Sequence, residues 1–141
     1  MATKSDYTDD EWQILKFAVM DTMAYLTLAN PGFWETFKEA NAAARYIGAQ
    51  RDSSASLLIR DLAADTRGAR DKEATANPAD MTGEVTARIH EAAALVAAKD
   101  YDDLPAFKDF ILGVAHATAE AADGVVENEA EAIAKITTAL D

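Results

Sequence analysis

Cysteine is absent from the 141-residue chain. Disulfides, thiolate metal sites and a Cys nucleophile are thereby excluded. Proline occurs three times and glycine six times, mostly between periodic runs. Alternating β-branched stretches, the mark of half-buried strands, are also missing. Bases are scarce, with 13 Lys and Arg against 25 Asp and Glu, a net charge of −12. An acidic surface repels phosphate, so no nucleic-acid partner is expected. No apolar run approaches the roughly 18 residues of a membrane span. The start, "MATKSDYTDDEW", has no basic stretch followed by an apolar run, as a signal peptide would. A cytoplasmic protein that does not enter the membrane is expected.

Catalytic signatures are lacking too. There is no G-x-S-x-G, no S-x-x-K, no Walker A and no G-x-G-x-x-G stretch. Ser53, Ser54 and Ser56 cluster at a helix start, where capping accounts for them. No enzyme and no cofactor are expected.

What the chain does have is alanine, at 32 positions, within a composition that is 50% apolar. Ala is the strongest helix former, and a chain of this length fits one domain with its own core. The expectation is an all-α, single-domain bundle of about five to seven helices over residues 1–141, with a weak internal pseudo-repeat. Each end of the chain offers a long helix, a short corner ("LANPG", "AADG") and an amphipathic helix.

The first helix is the clearest. In "YTDDEW", Thr8 reads as N-cap and Glu11 as N3, a capping box, and Tyr7 and Trp12 stand where a hydrophobic staple closes. Trp12, Leu15, Val19, Thr22 and Leu26 form one stripe. Ile14, Phe17, Tyr25 and Leu28 form a second, so this helix should be central. Asn30-Pro31 starts a second helix, with Phe33, Phe37, Ala40, Ala44 and Ile47 on its stripe and Gly48 as its C-terminal stop. A third helix begins near Asp52-Ser53 and presents Leu58 and Leu62. Residues 65–78 are the most polar and read as a loop or a frayed helix end. A fourth helix shows Val85, Ile89, Ala92 and Val96. A turn follows over 99–105, with Asp103 near the N-cap. The fifth helix, expected to be central like the first, carries Phe107, Phe110, Ile111, Val114 and Thr118. The last carries Val126, Ile133, Ile136 and Leu140.

The stretch "ATAEAADGVVENEAEAI", 117–133, invites a metal reading. An EF-hand needs oxygen ligands at positions 1, 3, 5 and 12 around Gly at 6. With Gly124 at 6, positions 1, 3 and 12 are Ala119, Ala121 and Ala130, and methyl groups cannot ligate calcium. A helix corner fits better, with Gly124 ending one helix and Asn128 and Glu131 capping the next. A looser divalent-cation site remains: His116, Glu120 and Asp123 lie at i, i+4 and i+7 on one face. That face also carries Asp109, as a solvated face would. His90 has no acid at i+4 and reads as a surface or boundary residue.

Asp21 falls between Phe17 and Tyr25 on the second line of the first helix. A carboxylate buried there needs a partner. Either that line is wet or paired with an Arg of another helix, or Asp21 lies in a small-molecule pocket. Trp34, off the stripe of Phe33 and Phe37, packs inside the domain or on another chain. The mildly basic segment 45–72, with Arg45, Arg51, Arg60, Arg67, Arg70 and Lys72, is a solvated surface or a docking patch.

"ADGVVENEAEAIAKI" resembles the helix corner of TerB-like tellurite-resistance proteins, small helical bacterial domains with an Ala-Asp-Gly turn. Asp123, Gly124, Val126, Glu129 and Glu131 carry the likeness, over roughly 25 residues. Asn30-Pro31-Gly32 departs from it at the other corner. The chain also resembles a group of small helical bacterial proteins of unknown function, at "YTDDEWQILKFAV", "AFKDFILGVAHATAEAA" and "GVVENEAEAI". These resemblances imply the fold and a bacterial source. The expected function is a non-enzymatic interaction or accessory protein, stress-associated, with a protein partner or a homodimer. The alternatives are divalent-metal binding and small-molecule binding.

Overall fold

The computed structural model describes the backbone of residues 3–29, 36–66, 78–120 and 127–141, and the side chains of 3–23, 25–26, 44–66, 85–118 and 130–141. Six helices make up this part: α1 (Asp9–Ala29), α2 (Thr36–Ser53), α3 (Leu57–Thr66), α4 (Pro78–Lys99), α5 (Leu104–Glu120) and α6 (Glu127–Leu140). Single turns of 3₁₀ helix precede α1 (Lys4–Asp6) and join α4 to α5 (Tyr101–Asp103). There is no strand among the described residues.

The start of α1 follows from local chemistry. The Glu11 amide donates to the Thr8 hydroxyl at 3.1 Å, and the Thr8 amide donates to the Glu11 carboxylate at 2.8 Å. Two orphan N–H groups are satisfied reciprocally, and the acid sits at the positive end of the helix dipole. The Tyr7 and Trp12 rings lie 5.7 Å apart, closing the staple. The stripe Trp12, Leu15, Val19, Thr22, Leu26 is buried throughout. The second line is not uniformly apolar-in. Ile14 is half-buried and Phe17 is 37% exposed, whereas Asp21 and Tyr25 are buried. Helices α1 and α5 each pack against all five others, which makes them the central pair.

Three boundaries differ from the sequence reading. Gly48 does not end α2, which continues to Ser53. Glycine costs about 1 kcal/mol in a helix interior, and the burial of the adjoining Ile47 outweighs it. The third helix accordingly starts at Leu57, later than Asp52-Ser53, with Ser56 accepting the Ile59 amide. Asp65 and Thr66 agree with the helix-end reading of their stretch: they are the last residues of α3, and Thr66 is buried with its hydroxyl on the Leu62 carbonyl. Asn128 is not an N-cap, because α6 already includes Glu127. The expected Gly124 stop and the corner at Asn30-Pro31 lie outside the described residues.

Two ion pairs fix the register of α1 on α4. Glu11 meets Lys99 at 3.0 Å and Asp21 meets Arg88 at 2.9 Å, so the helices run antiparallel. The short link 100–103 turns α5 back along α4. Lys108, early in α5, reaches Asp141 just beyond α6 at 3.7 Å, so α6 runs back along α5 and parallel to α4. Val85, Ile89, Ala92 and Val96 of α4, Phe107, Phe110, Ile111 and Val114 of α5, and Ile136 and Leu140 of α6 close the core. Gly113 of α5 is a packing notch. A Cβ there would fall on the hydroxyl end of the Tyr46 ring, which stacks on Phe110 at 6.1 Å.

Candidate interaction surface

Three places bring polar side chains together. The first is the N-terminal clamp. Trp12, buried in the stripe, donates its indole N–H to Asp65 at 2.7 Å, and Lys4 meets the same carboxylate at 2.7 Å. Burial works to raise the Asp65 pKa. The hydrogen bonds from Lys4 and Trp12 outweigh it, so this carboxyl lies below its ordinary range. Glu11 is lowered as well, by the Thr8 backbone N–H and then by Lys99. Lys99 and Lys4 stand 5.6 and 5.7 Å from the Tyr7 and Trp12 ring centres. The Tyr7 hydroxyl is buried and has no hydrogen-bond partner among the described residues. Burial, followed by the nearby Asp103 and Glu11 charges, pushes its pKa up to about 12. These contacts tie α1 to the ends of α3 and α4, and their chemistry is that of a clasp.

The second place is Asp21. It is 1% exposed, and Arg88 of α4 reaches it at 2.9 Å. Arg88 also lies 5.9 Å from the Phe17 ring centre. A buried carboxylate held by an Arg of another helix is a structural pairing, and it explains why a charge sits on this line. The nearby Thr22 and Thr118 hydroxyls return to carbonyls four residues back.

The third place is a groove between α4 and α6, holding about 690 Å³. It is lined by the small side chains of Ala87 and Ala134, both exposed, and the buried Ala139, with Thr86 and Thr138 beside them. His90, Glu131 and Lys135 stand around it. Parallel helices with small facing residues leave an open furrow where bulky ones would have filled it. His90 bonds through Nδ1 to the Ala139 carbonyl at 3.0 Å. A carbonyl only accepts, so Nδ1 is the donor. The same bond satisfies one of the last carbonyls of α6.

His116 is exposed on α5. Asp123 and the side chain of Glu120 lie outside the described residues, as do Trp34, Phe33, Arg67, Arg70 and Lys72. Among the described residues no group of three or more His, Asp or Glu is placed to hold a metal ion. Of the basic segment, Arg51 pairs with Asp52 at 3.0 Å and Arg60 donates to the Ser54 carbonyl. Ser54 and Ser56 serve the turn and cap before α3, whereas Ser53 ends α2, contrary to its expected place at a helix start, and donates its hydroxyl to the Ala49 carbonyl. No described helix is long and apolar enough to cross a membrane.

The groove was not visible in the sequence. The periodicity of one helix reveals which face is polar, but not which two exposed faces lie side by side. No family model, curated protein or solved structure matches the chain.

Proposed function

We propose that this is a non-enzymatic interaction protein that docks another protein on its α4–α6 face. The observation that carries this is the open groove lined by Ala87, Ala134 and Ala139 with Thr86, His90, Glu131, Lys135 and Thr138 among them. Apolar area interleaved with polar groups is the composition of a protein contact surface. The buried Asp21 holds Arg88, and the half-buried Asp65 holds Trp12 and Lys4, contacts that serve the fold. The bacterial, cytoplasmic and stress-associated parts of the proposal are supported by sequence alone.

Site-specific photo-crosslinking tests it. A photoreactive residue is placed at Ala87 in the groove or at Ala64, exposed on α3. A discrete protein adduct from position 87, with none from 64, is expected. Equal labelling from both positions, or none from 87, refutes the docking face.

A further inference from the structure

The α6 wall of the groove carries one acid and one base. Glu131 and Lys135 stand four residues apart, both exposed, with the exposed Ala134 and Thr138 beside them. That separation is about 6 Å along the helix, so both project from one face. Neither is held in an ion pair among the described residues. His90, across the groove, is already turned to the Ala139 carbonyl.

The order of the two charges selects the occupant. A partner of one sign is attracted by one of them and repelled by the other. A matching partner offers a base opposite Glu131 and an acid opposite Lys135, about one turn away. A second copy laid antiparallel on α6 has that order. Under a two-fold axis residue i meets j and j meets i. With the axis level with their midpoint, each Glu131 faces the other copy's Lys135. Ala134 next to the axis and Thr138 a turn away are small, so the two helix backbones approach closely. The charge of −12 on each copy opposes association at long range. At about 0.15 M salt that field decays over about 8 Å, and the close pairs then decide. The face is about 20 Å across two helices and about 21 Å along the 14 residues of α6. Its outline of about 400 Å² is at the small end for specific interfaces, which makes the association weak. We propose that the α4–α6 groove is the self-docking face of a weak, two-fold symmetric homodimer, closed by reciprocal Glu131–Lys135 pairs. The proposal rests on the docking reading above and names the partner as a second copy of this chain.

Sedimentation equilibrium from about 10 µM to about 1 mM, in about 0.15 M salt, covers the range of a weak interface. The wild type should show a monomer–dimer equilibrium. Glu131→Lys sets lysines against each other, and Lys135→Glu sets glutamates against each other. Each should weaken the dimer about tenfold or more. An equimolar mixture of the two variants restores opposite charges at both positions and should dimerise again. The double variant Glu131→Lys/Lys135→Glu keeps the net charge, exchanges the pair, and should recover the wild-type dimer to within about twofold. A wild type that stays monomeric overturns the proposal. So do single variants that dimerise like wild type, or a mixture that does not recover. If the wild type is monomeric while position 87 crosslinks a different protein, the docking face stands and the second copy does not. If it is monomeric and position 87 crosslinks nothing, both readings fall.

Discussion

Removing the Tyr7 hydroxyl should strengthen this protein. The oxygen is buried and meets no hydrogen-bond partner among the described residues, so folding exchanges its water for apolar surroundings. That leaves a desolvation cost of about 1–3 kcal/mol in the native state. Tyr7→Phe abolishes the cost, keeps the ring against Trp12, and forfeits only the contacts of one atom. A gain of about 1 kcal/mol at neutral pH is expected, where the average substitution loses about that much. The alkaline limb supplies a second signature. The Tyr7 pKa is about 12 in the folded protein, against about 10 in the unfolded chain. Its contribution is therefore fully present below pH 10 and is lost as pH rises towards 12. At pH 11 the wild type should have lost about 1.4 kcal/mol more than the variant, one pKa unit's worth. Urea unfolding of both proteins at pH 7 and pH 11 measures the two differences. A variant less stable than wild type by 1 kcal/mol or more at pH 7, with parallel behaviour at pH 11, would refute the reasoning.

Other perturbations probe the remaining contacts. Gly113→Ala should destabilise by about 1–3 kcal/mol through overpacking on Tyr46, despite the helix-propensity gain of about 1 kcal/mol. Thermal melts should show Tyr46→Ala in the same background relieving part of the loss. Arg88→Ala leaves Asp21 buried without this ion pair. Breaking a buried pair costs about 3–5 kcal/mol, and the 47% exposure of Arg88 lowers the expectation to about 2 kcal/mol. Adding Asp21→Asn should recover part of it in denaturant titrations. Asp65→Asn should be less stable than wild type at neutral pH. Because the folded Asp65 pKa lies below its ordinary value, the wild-type advantage is present above about pH 5 and fades as pH falls through the folded value. Converging acid-unfolding curves would show this.

The all-α architecture and the central pair α1 and α5 were legible because helix periodicity is written within single segments. The Thr8–Glu11 box and the Tyr7–Trp12 staple were legible for the same reason, since every partner lies within five residues. Gly48 misled because its cost is local and what outweighs it, the burial around Ile47, is not. Asp21 announced itself as an anomaly, and an Arg of another helix was one of the readings left open. Choosing Arg88 required the antiparallel register of α1 on α4. Trp12 and Asp65 lie 53 positions apart, and nothing in either neighbourhood joins them. The groove needs α4 and α6 side by side, a relation set by the turn at 100–103 and the return of α6 along α5.

The central position of α1 has a consequence for synthesis. A ribosome releases this helix before the other five, yet α1 packs mainly against α4, α5 and α6. The gap between α1 and the end of α5 is roughly 100 residues, or about 5–20 s of elongation at about 5–20 residues per second. Until α4 follows, the apolar stripe of α1 has only α2 and α3 to cover it. A translating cell would have to shield it, and the capped, stapled start of α1 would meet a chaperone as a preformed amphipathic helix before it met its own core.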